Sequence, residues 1–301
     1  MFDGTRSIDD KAIAMTYAQL LKQTSGELER FGVPNPEQEA WWILASSTGR
    51  ENSQLAAELA LPVPAAVGKK VAQVVQERRG GKPLVYATGE TEFYGLRLKV
   101  SPAVLIPRPE TEVLAAEILK ELDLRAGRNL PFSILDIGTG SGCIALALLS
   151  QLPNSFAVAT DISKEALFVA AENAGALGLS PRIQFVLGNV LEPIKAEEKF
   201  DVIVSNPPYI DSSEMESLDD SVRRFEPNLA IESHRGGTWF HREITRLGAF
   251  RLRPEGILAF EVGNRQAKMV ARFIKKTGFY AKPQIFYDLF GYERVVLVRK
   301  I

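Results

Sequence analysis

An amide, two prolines and a phenol follow one another at Asn206, Pro207, Pro208 and Tyr209, directly after the apolar, β-branched run from Phe200 to Ser205. Proline disfavours the helical region for the residue before it, so Pro207 holds Asn206 extended and Pro208 does the same to Pro207. Neither proline has an N–H. The segment therefore offers acceptors without competing donors, namely the side-chain oxygen of Asn206 and the carbonyl of Pro207. Two acceptors fixed at one place suit an NH2 group. The flat face of Tyr209 suits a planar amide or base stacked on it, an interaction worth ~1–3 kcal/mol where bases stack on aromatic rings. Such a nitrogen is a poor nucleophile because its lone pair is delocalised, and hydrogen bonds to both its protons raise its electron density and aim it. Asn206, Pro207 and Tyr209 are thus the expected catalytic group, and together with Pro208 the expected substrate-binding group.

A second constellation precedes this one. In "ILDIGTGSGCIALALL" an apolar strand enters a loop with Gly138, Gly140 and Gly142, and a helix follows at once. Glycines let a backbone turn tightly and approach a ligand without a Cβ in the way, and in open α/β sheets ligands bind beyond the carboxyl ends of the strands. A dinucleotide fingerprint places its third glycine where this chain has Cys143, so the spacing favours a nucleoside cofactor without a pyrophosphate. Gly138, Thr139, Gly140, Ser141 and Gly142 are the expected cofactor loop. Asp161 ends the next strand, "FAVATD", where a carboxylate can accept both hydrogen bonds of a ribose diol. NAD and S-adenosylmethionine both carry that diol. Asp136 either faces the cofactor's amino group or stabilises the loop as an acceptor. Cys143, with no histidine nearby in sequence, reads as a packing residue and not a nucleophile.

These groups need rigid supports. From about residue 111 helical patterns alternate with short apolar strands, which implies right-handed βαβ units and an open, largely parallel sheet covered on both faces. The last two strand-like runs, "KPQIFYD" and "YERVVLVRK", are joined by "LFG" without a helix, as in a hairpin at the sheet edge. Upstream, residues 1–82 carry helical periodicity and helix-start chemistry. In "NPEQEAWWILASS", Asn35 is placed to cap, Pro36 to open the helix and Gln38 to complete a capping box. Trp41 and Trp42 read as packing residues, with a partner surface as the alternative. Residues 83–107 form a connector, with a hairpin around Gly95.

Composition narrows the function classes. At 301 residues the chain is long enough for a large and a small domain. A formal net charge of −1 does not advertise a nucleic-acid groove. One cysteine and two histidines cannot furnish an internal disulfide or a Cys/His zinc site, so no metal is expected. No apolar stretch approaches a membrane span, and "MFDGTRSIDDKA" is too polar for a signal peptide, so the reading is cytoplasmic. His234 and His241 read as surface polar residues.

Together "LDIGTGSG", "TDIS" and "SNPPYI" resemble the class I S-adenosylmethionine-dependent methyltransferases that act on amino groups. "GKPLVYATGETEFYGLRLKVSPAVLIPRPETEVL" and the ending "GYERVVLVRK" narrow the resemblance to the PrmC/HemK family, the peptide chain release factor glutamine N5-methyltransferases, over nearly the whole chain. Pro109, Glu110 and Thr111 favour that family over the ribosomal-protein glutamine methyltransferases. The resemblance implies a Rossmann-like seven-stranded sheet with one antiparallel edge strand over 108–301, and an all-helical substrate-recognition domain over 1–82. It implies S-adenosylmethionine as methyl donor, and as partner a class I release factor whose Gly-Gly-Gln loop presents the glutamine. Gly138 to Gly142 and Asp161 would then contact the cofactor, with Asn206 beside them, and Asn206 to Tyr209 would hold the glutamine. Many such enzymes carry an acid where this chain has Asn189; its amide oxygen can still meet an adenine amino group, with Val190 packed on the ring. The segment after Glu226 and Pro227 lacks the acid usual near its double glycine. Arg108 and Glu110 either position the cofactor side or serve the helix start. The residues alone leave open another protein glutamine, an adenine or cytosine amino group of nucleic acid, and a non-catalytic binding role.

Overall fold

The structure, a computed structural model, describes residues 15–301. The polar opening segment read above as lacking a signal peptide lies outside them. The described residues divide into two compact units, with the boundary between Thr88 and Gly89. Among the described residues no helix is long and apolar enough to cross a membrane.

The first unit is helical: α1 (Tyr17–Arg30), α2 (Pro36–Thr48), α3 (Asn52–Ala57), α4 (Ala65–Arg79) and α5 (Leu84–Thr88). Leu20, Leu28, Ile43, Leu44, Leu55, Val71 and Val75 close one core. α1 starts with a capping box in which Thr16 and Gln19 satisfy each other's backbone N–H groups. The box expected at Asn35 is not formed. Asn35 sits in the left-handed region at φ 53° and its side chain accepts no capping bond, although Pro36 does open α2. An amide side chain tolerates that backbone region, so the turn itself, and not a cap, uses Asn35. Trp41 packs against the core, whereas Trp42 is half exposed.

The second unit begins with the expected hairpin, β1 (Glu90–Phe93) against β2 (Leu96–Lys99). Tyr94 and Gly95 both have positive φ, 52° and 72°, the backbone twist that joins two antiparallel strands through two residues. Next come α6 (Glu112–Ala126), β3 (Ser133–Ile137), α7 (Cys143–Gln151), β4 (Phe156–Asp161), α8 (Lys164–Ala176), β5 (Ile183–Leu187) and β6 (Phe200–Ser205). After β6 lie a two-residue parallel pair, β7 (Ile210–Asp211) with β8 (Glu232–Ser233), and between them α9 (Asp220–Phe225). α10 (Trp239–Gly248), β9 (Leu252–Glu261), α11 (Ala267–Thr277), β10 (Gln284–Tyr287) and β11 (Glu293–Arg299) complete the unit.

The main sheet runs in the order β10, β11, β9, β6, β3, β4, β5. The five strands from β9 to β5 are mutually parallel, and β11 is antiparallel to both β9 and β10, so the reversal sits in the hairpin at one edge. Successive strand residues point to opposite faces. Ile134, Val202, Val204, Ile257, Ala259, Val295 and Leu297 meet α6 and α7 on one side. Leu135, Ile203, Leu258, Phe260, Val296 and Val298 meet α10 and α11 on the other. Burial on both faces is why these strands read as near-continuous apolar runs. The arrangement is the α/β, Rossmann-like architecture expected from the sequence, with the all-helical unit ahead of it.

Candidate active site

The carboxyl ends of β3, β4, β5 and β6 open onto one cleft of about 180 Å³. The glycine loop is its floor. Gly138, Gly140 and Gly142 have φ of 70°, 55° and 82°, a region that L-residues with a Cβ rarely adopt. At Gly138 and Gly140 a Cβ would meet nothing within 4 Å, so the absent side chains leave open space beside the backbone. At Gly142 a Cβ would sit 3.1 Å from Leu146 Cδ1 and 3.3 Å from Ala170 Cβ. That glycine lets α7 pack on α8 and is not part of the cleft wall.

Asp161 braces the loop. Its Oδ2 accepts from the Gly140 N–H at 2.9 Å and its Oδ1 from the Ser163 N–H at 2.9 Å. Burial raises its pKa, against those backbone hydrogen bonds. Each oxygen keeps a further lone pair for a hydroxyl donor. Asp136 lies beneath, fully buried, with Oδ2 accepting from the Thr139 hydroxyl at 2.7 Å and the Ala145 N–H at 3.3 Å. Burial pushes its pKa up to about 6. It does not line the cleft, so of its two readings the structure favours the loop-stabilising acceptor. Cys143 opens α7, with its thiol pushed up to about 12 by burial, which leaves no thiolate for nucleophilic work.

The opposite wall comes from β5 and β6. Asn189 and Val190 follow β5, and both line the cleft. Val190 has φ 51°, a strained backbone for a β-branched residue, of the kind that persists where the surroundings over-determine it. Ser205 ends β6 and donates its hydroxyl to the Ile137 carbonyl at 2.7 Å, tying the second motif to the strand of the first. Asn206, Pro207 and Pro208 then line the cleft; Asn206 is half-buried, and its Nδ2 donates to Thr111 Oγ1 at 3.3 Å.

Tyr209 stands apart from these walls. Its hydroxyl donates to Glu261 Oε1 at 3.2 Å, and its backbone carbonyl accepts from Gln266 Nε2 at 2.8 Å. A Cβ at Gly263 would come within 3.0 Å of the Tyr209 ring, and one at Gly237 would collide with its carbonyl oxygen. The tyrosine is thus clamped between two glycines and a buried acid. Gly138, Thr139, Gly140, Ser141, Asp161, Asn189, Val190 and Asn206 to Pro208 are brought to one cleft, and Gly142 and Tyr209 support it from behind.

Several neighbours reach the site from segments distant in the sequence. Glu261, at the end of β9, is buried and accepts from the Thr111 hydroxyl at 2.5 Å. Arg108 lines the cleft and bonds Glu226 Oε1 at 2.5 Å, joining the loop before α6 to the loop after α9. His234 is exposed, as expected. His241 corrects the sequence reading: it is fully buried, 2.9 Å from the Glu261 carbonyl through Nε2 and edge-on to Phe260. A carbonyl only accepts, so Nε2 carries the proton and Nδ1, which has no partner, holds a lone pair. Burial pushes the ring's pKa down to about 4. Position 241 in an amphipathic helix gave no hint of which face the imidazole takes. An acid at the carboxyl end of a buried parallel strand, as in "AFEVG", was the available hint for Glu261.

The cleft suits a nucleoside with a free diol: open space at two glycines on one side, a carboxylate with spare lone pairs, and apolar walls. Ile162, half exposed beside Asp161, offers one such wall. Residues 111–225 match the family described as "Methyltransferase small domain", and residues 19–89 the "PrmC N-terminal domain". A methyltransferase from Pyrococcus furiosus shares the fold with a TM-score of 0.50 at 20% identity, over 74% of this chain and 98% of its own. The hMettl16 catalytic domain does so with a TM-score of 0.53 at 17% identity, over 77% of this chain and 80% of its own. Among sequences, a release factor glutamine methyltransferase of Moorella thermoacetica is 38% identical over 94% of this chain and 98% of its own. One of Cereibacter sphaeroides is 35% identical over 95% of this chain and 99% of its own. On that full-length similarity the chain belongs to the release factor glutamine methyltransferase family.

Proposed function

We propose that the chain methylates the side-chain amide nitrogen (N5) of a glutamine in the Gly-Gly-Gln loop of a class I peptide chain release factor, using S-adenosylmethionine. The observation that carries this reading is the placing of Asn206 and Pro207 on the same cleft as Gly138, Gly140 and Asp161. When bound, S-adenosylmethionine supplies an electrophilic methyl group. Gly138 and Gly140 would let the backbone close on that cofactor, Asp161 would accept from its ribose hydroxyls, and Asn189, Val190 and Ile162 would flank its base.

Asn206 Oδ1 and the Pro207 carbonyl accept the two N–H protons of the glutamine amide, orient it, and raise the electron density on nitrogen. No strong general base is needed, because the nitrogen becomes cationic when the methyl is added as its fourth substituent, and such an N-protonated amide loses its proton readily to water. Arg108 and Glu226 hold together the loops through which an extended glutamine enters. The helical unit, read from the sequence as residues 1–82, would recognise the release factor, and 83–107 would serve as the connector. The reaction belongs in the cytoplasm, with translation termination.

Incubation with labelled S-adenosylmethionine, a purified release factor and a copy with its loop glutamine replaced tests the reading. Label on the first alone supports it. Label on both copies, on a ribosomal protein, or on DNA would overturn it.

A further inference from the structure

Resting on that reading, a question of polarity remains. A carboxamide can present either its oxygen or its NH2 to a cleft, and only the oxygen can accept from a substrate amide. Asn206 and its two prolines do not by themselves decide which.

The groups that hold Asn206 do, first among them Thr111, which also lines the cleft. Thr111 has one hydroxyl proton, and its Oγ1 lies 2.5 Å from Glu261 Oε2, a carboxylate oxygen. A carboxylate only accepts, so that proton is committed to Glu261. Burial, the largest influence, raises the pKa of this acid and the negative charge of Glu110 adds to the rise, while the Thr111 hydroxyl, the positive charge of Arg294 and the Tyr209 hydroxyl act against it. The Tyr209 hydroxyl donates to the other oxygen of the same side chain at 3.2 Å, so both oxygens are placed as acceptors of hydroxyl donors, the arrangement that takes up the Thr111 proton. With its proton spent, Thr111 Oγ1 has only lone pairs left for Asn206. It can therefore receive the Asn206 NH2 at 3.3 Å but cannot donate to the Asn206 oxygen. We propose that Glu261 is a positioning residue which, through the Thr111 hydroxyl, fixes the Asn206 amide with its oxygen facing the cleft and so selects an NH2-bearing side chain over a carboxylate.

Three variants and two substrates test this. The substrates are a release factor with its natural loop glutamine and a copy with glutamate there, which offers only acceptors. Thr111→Val keeps the shape and removes the hydroxyl, Thr111→Ser restores it, and Glu261→Gln puts a donor behind Thr111, turning the hydroxyl proton onto Asn206. Thr111→Val should lower kcat on the glutamine substrate on the order of 10- to 100-fold, the equivalent of one buried donor left unsatisfied. Cofactor affinity should stay within a few-fold. In the same variant the preference for binding the glutamine copy over the glutamate copy should shrink about tenfold, because the amide is free to turn its NH2 outward. Thr111→Ser should recover both quantities, and Glu261→Gln should shift the preference further towards glutamate. Recovery and altered preference are not expected of a merely structural defect.

Unchanged kcat and unchanged preference in Thr111→Val would overturn the proposal, as would a Thr111→Ser variant no better than valine. If the valine protein fails to fold, Glu261→Gln against wild type decides by preference alone. A wild-type protein that labels no release factor would sink the functional reading instead. In that event the amide orientation is read directly by NMR: nuclear Overhauser contacts from the Asn206 NH2 to Thr111 support the relay, and their absence refutes it.

Discussion

Replacing Asp161 by asparagine changes one atom and should cost the protein twice. Both carboxylate oxygens of Asp161 already accept a backbone N–H, from Gly140 and Ser163, each at 2.9 Å. An amide has one acceptor oxygen, so whichever way the substituted side chain turned, its NH2 would face one of those donors. The loss of one charge-assisted hydrogen bond corresponds to ~1.5–3 kcal/mol. For a unit of this size, at ~2–4 °C per kcal/mol, that is a fall in Tm of roughly 3–12 °C. The ribose diol also loses an ionised acceptor, and one such bond at ~1.5–3 kcal/mol weakens cofactor binding by roughly 10- to 100-fold. Thermal unfolding with and without S-adenosylmethionine, together with calorimetric titration of the cofactor, separates the two effects. A lowered Tm with unchanged affinity would reduce Asp161 to a loop brace and refute its role as ribose acceptor. Unchanged values of both would refute the hydrogen-bond argument altogether.

Asn206→Ala removes the side-chain acceptor from a half-buried position, and kcat should fall about 100-fold by analogy with the loss of one preorganised oxyanion-hole donor; methylation near the wild-type rate would refute the amide-gripping role. Gly142→Ala strains the backbone at φ 82° and presses a Cβ to 3.1 Å from Leu146, whereas Gly140→Ala strains it at 55° into open space. Left-handed strain alone is worth ~1–2 kcal/mol and overpacking adds ~1–3 kcal/mol, so in urea the first variant should unfold at a clearly lower midpoint than the second, which should instead lose cofactor affinity. His241, at about 4 in the folded protein against 6.5 unfolded, takes up its proton mainly on unfolding. Its contribution is therefore fully present above pH 6.5 and is lost as pH falls towards 4, by roughly 3 kcal/mol. Asp136, raised to about 6, works in the opposite sense, so the measurement is the difference in unfolding free energy between wild type and His241→Phe across that range. A difference that does not change with pH would contradict the buried neutral imidazole.

What the sequence shows of this protein is what short segments determine for themselves. The glycine loop, the acid ending the next strand and the paired prolines after Asn206 each rest on conformational rules spanning a few residues, and each lies where the alternation of strands and helices puts it. The hairpin turn at Tyr94 and Gly95 is of the same kind. The misses concern which way a side chain faces once distant segments meet. Nothing near His241 tells that its helix turns the imidazole inward onto Phe260, and nothing near Tyr209 tells that its hydroxyl meets Glu261 and its carbonyl Gln266. Asn35 has the right type and place for a cap, yet the turn before α2 takes it into the left-handed region. Thr111 is visible as part of a motif, but its partner lies 150 residues on.

That separation has a practical consequence. Asn206 is oriented by a residue 95 positions before it, which is itself held by one 150 positions further along. Catalytic competence is therefore a report on the assembled sheet and not on either motif. A nascent or partly denatured chain could possess both signature loops and still turn over nothing, because the amide would swing freely until the end of β9 is in place. Activity assays on stressed preparations should accordingly register loosening of the β9 region before any optical probe of bulk helix content does.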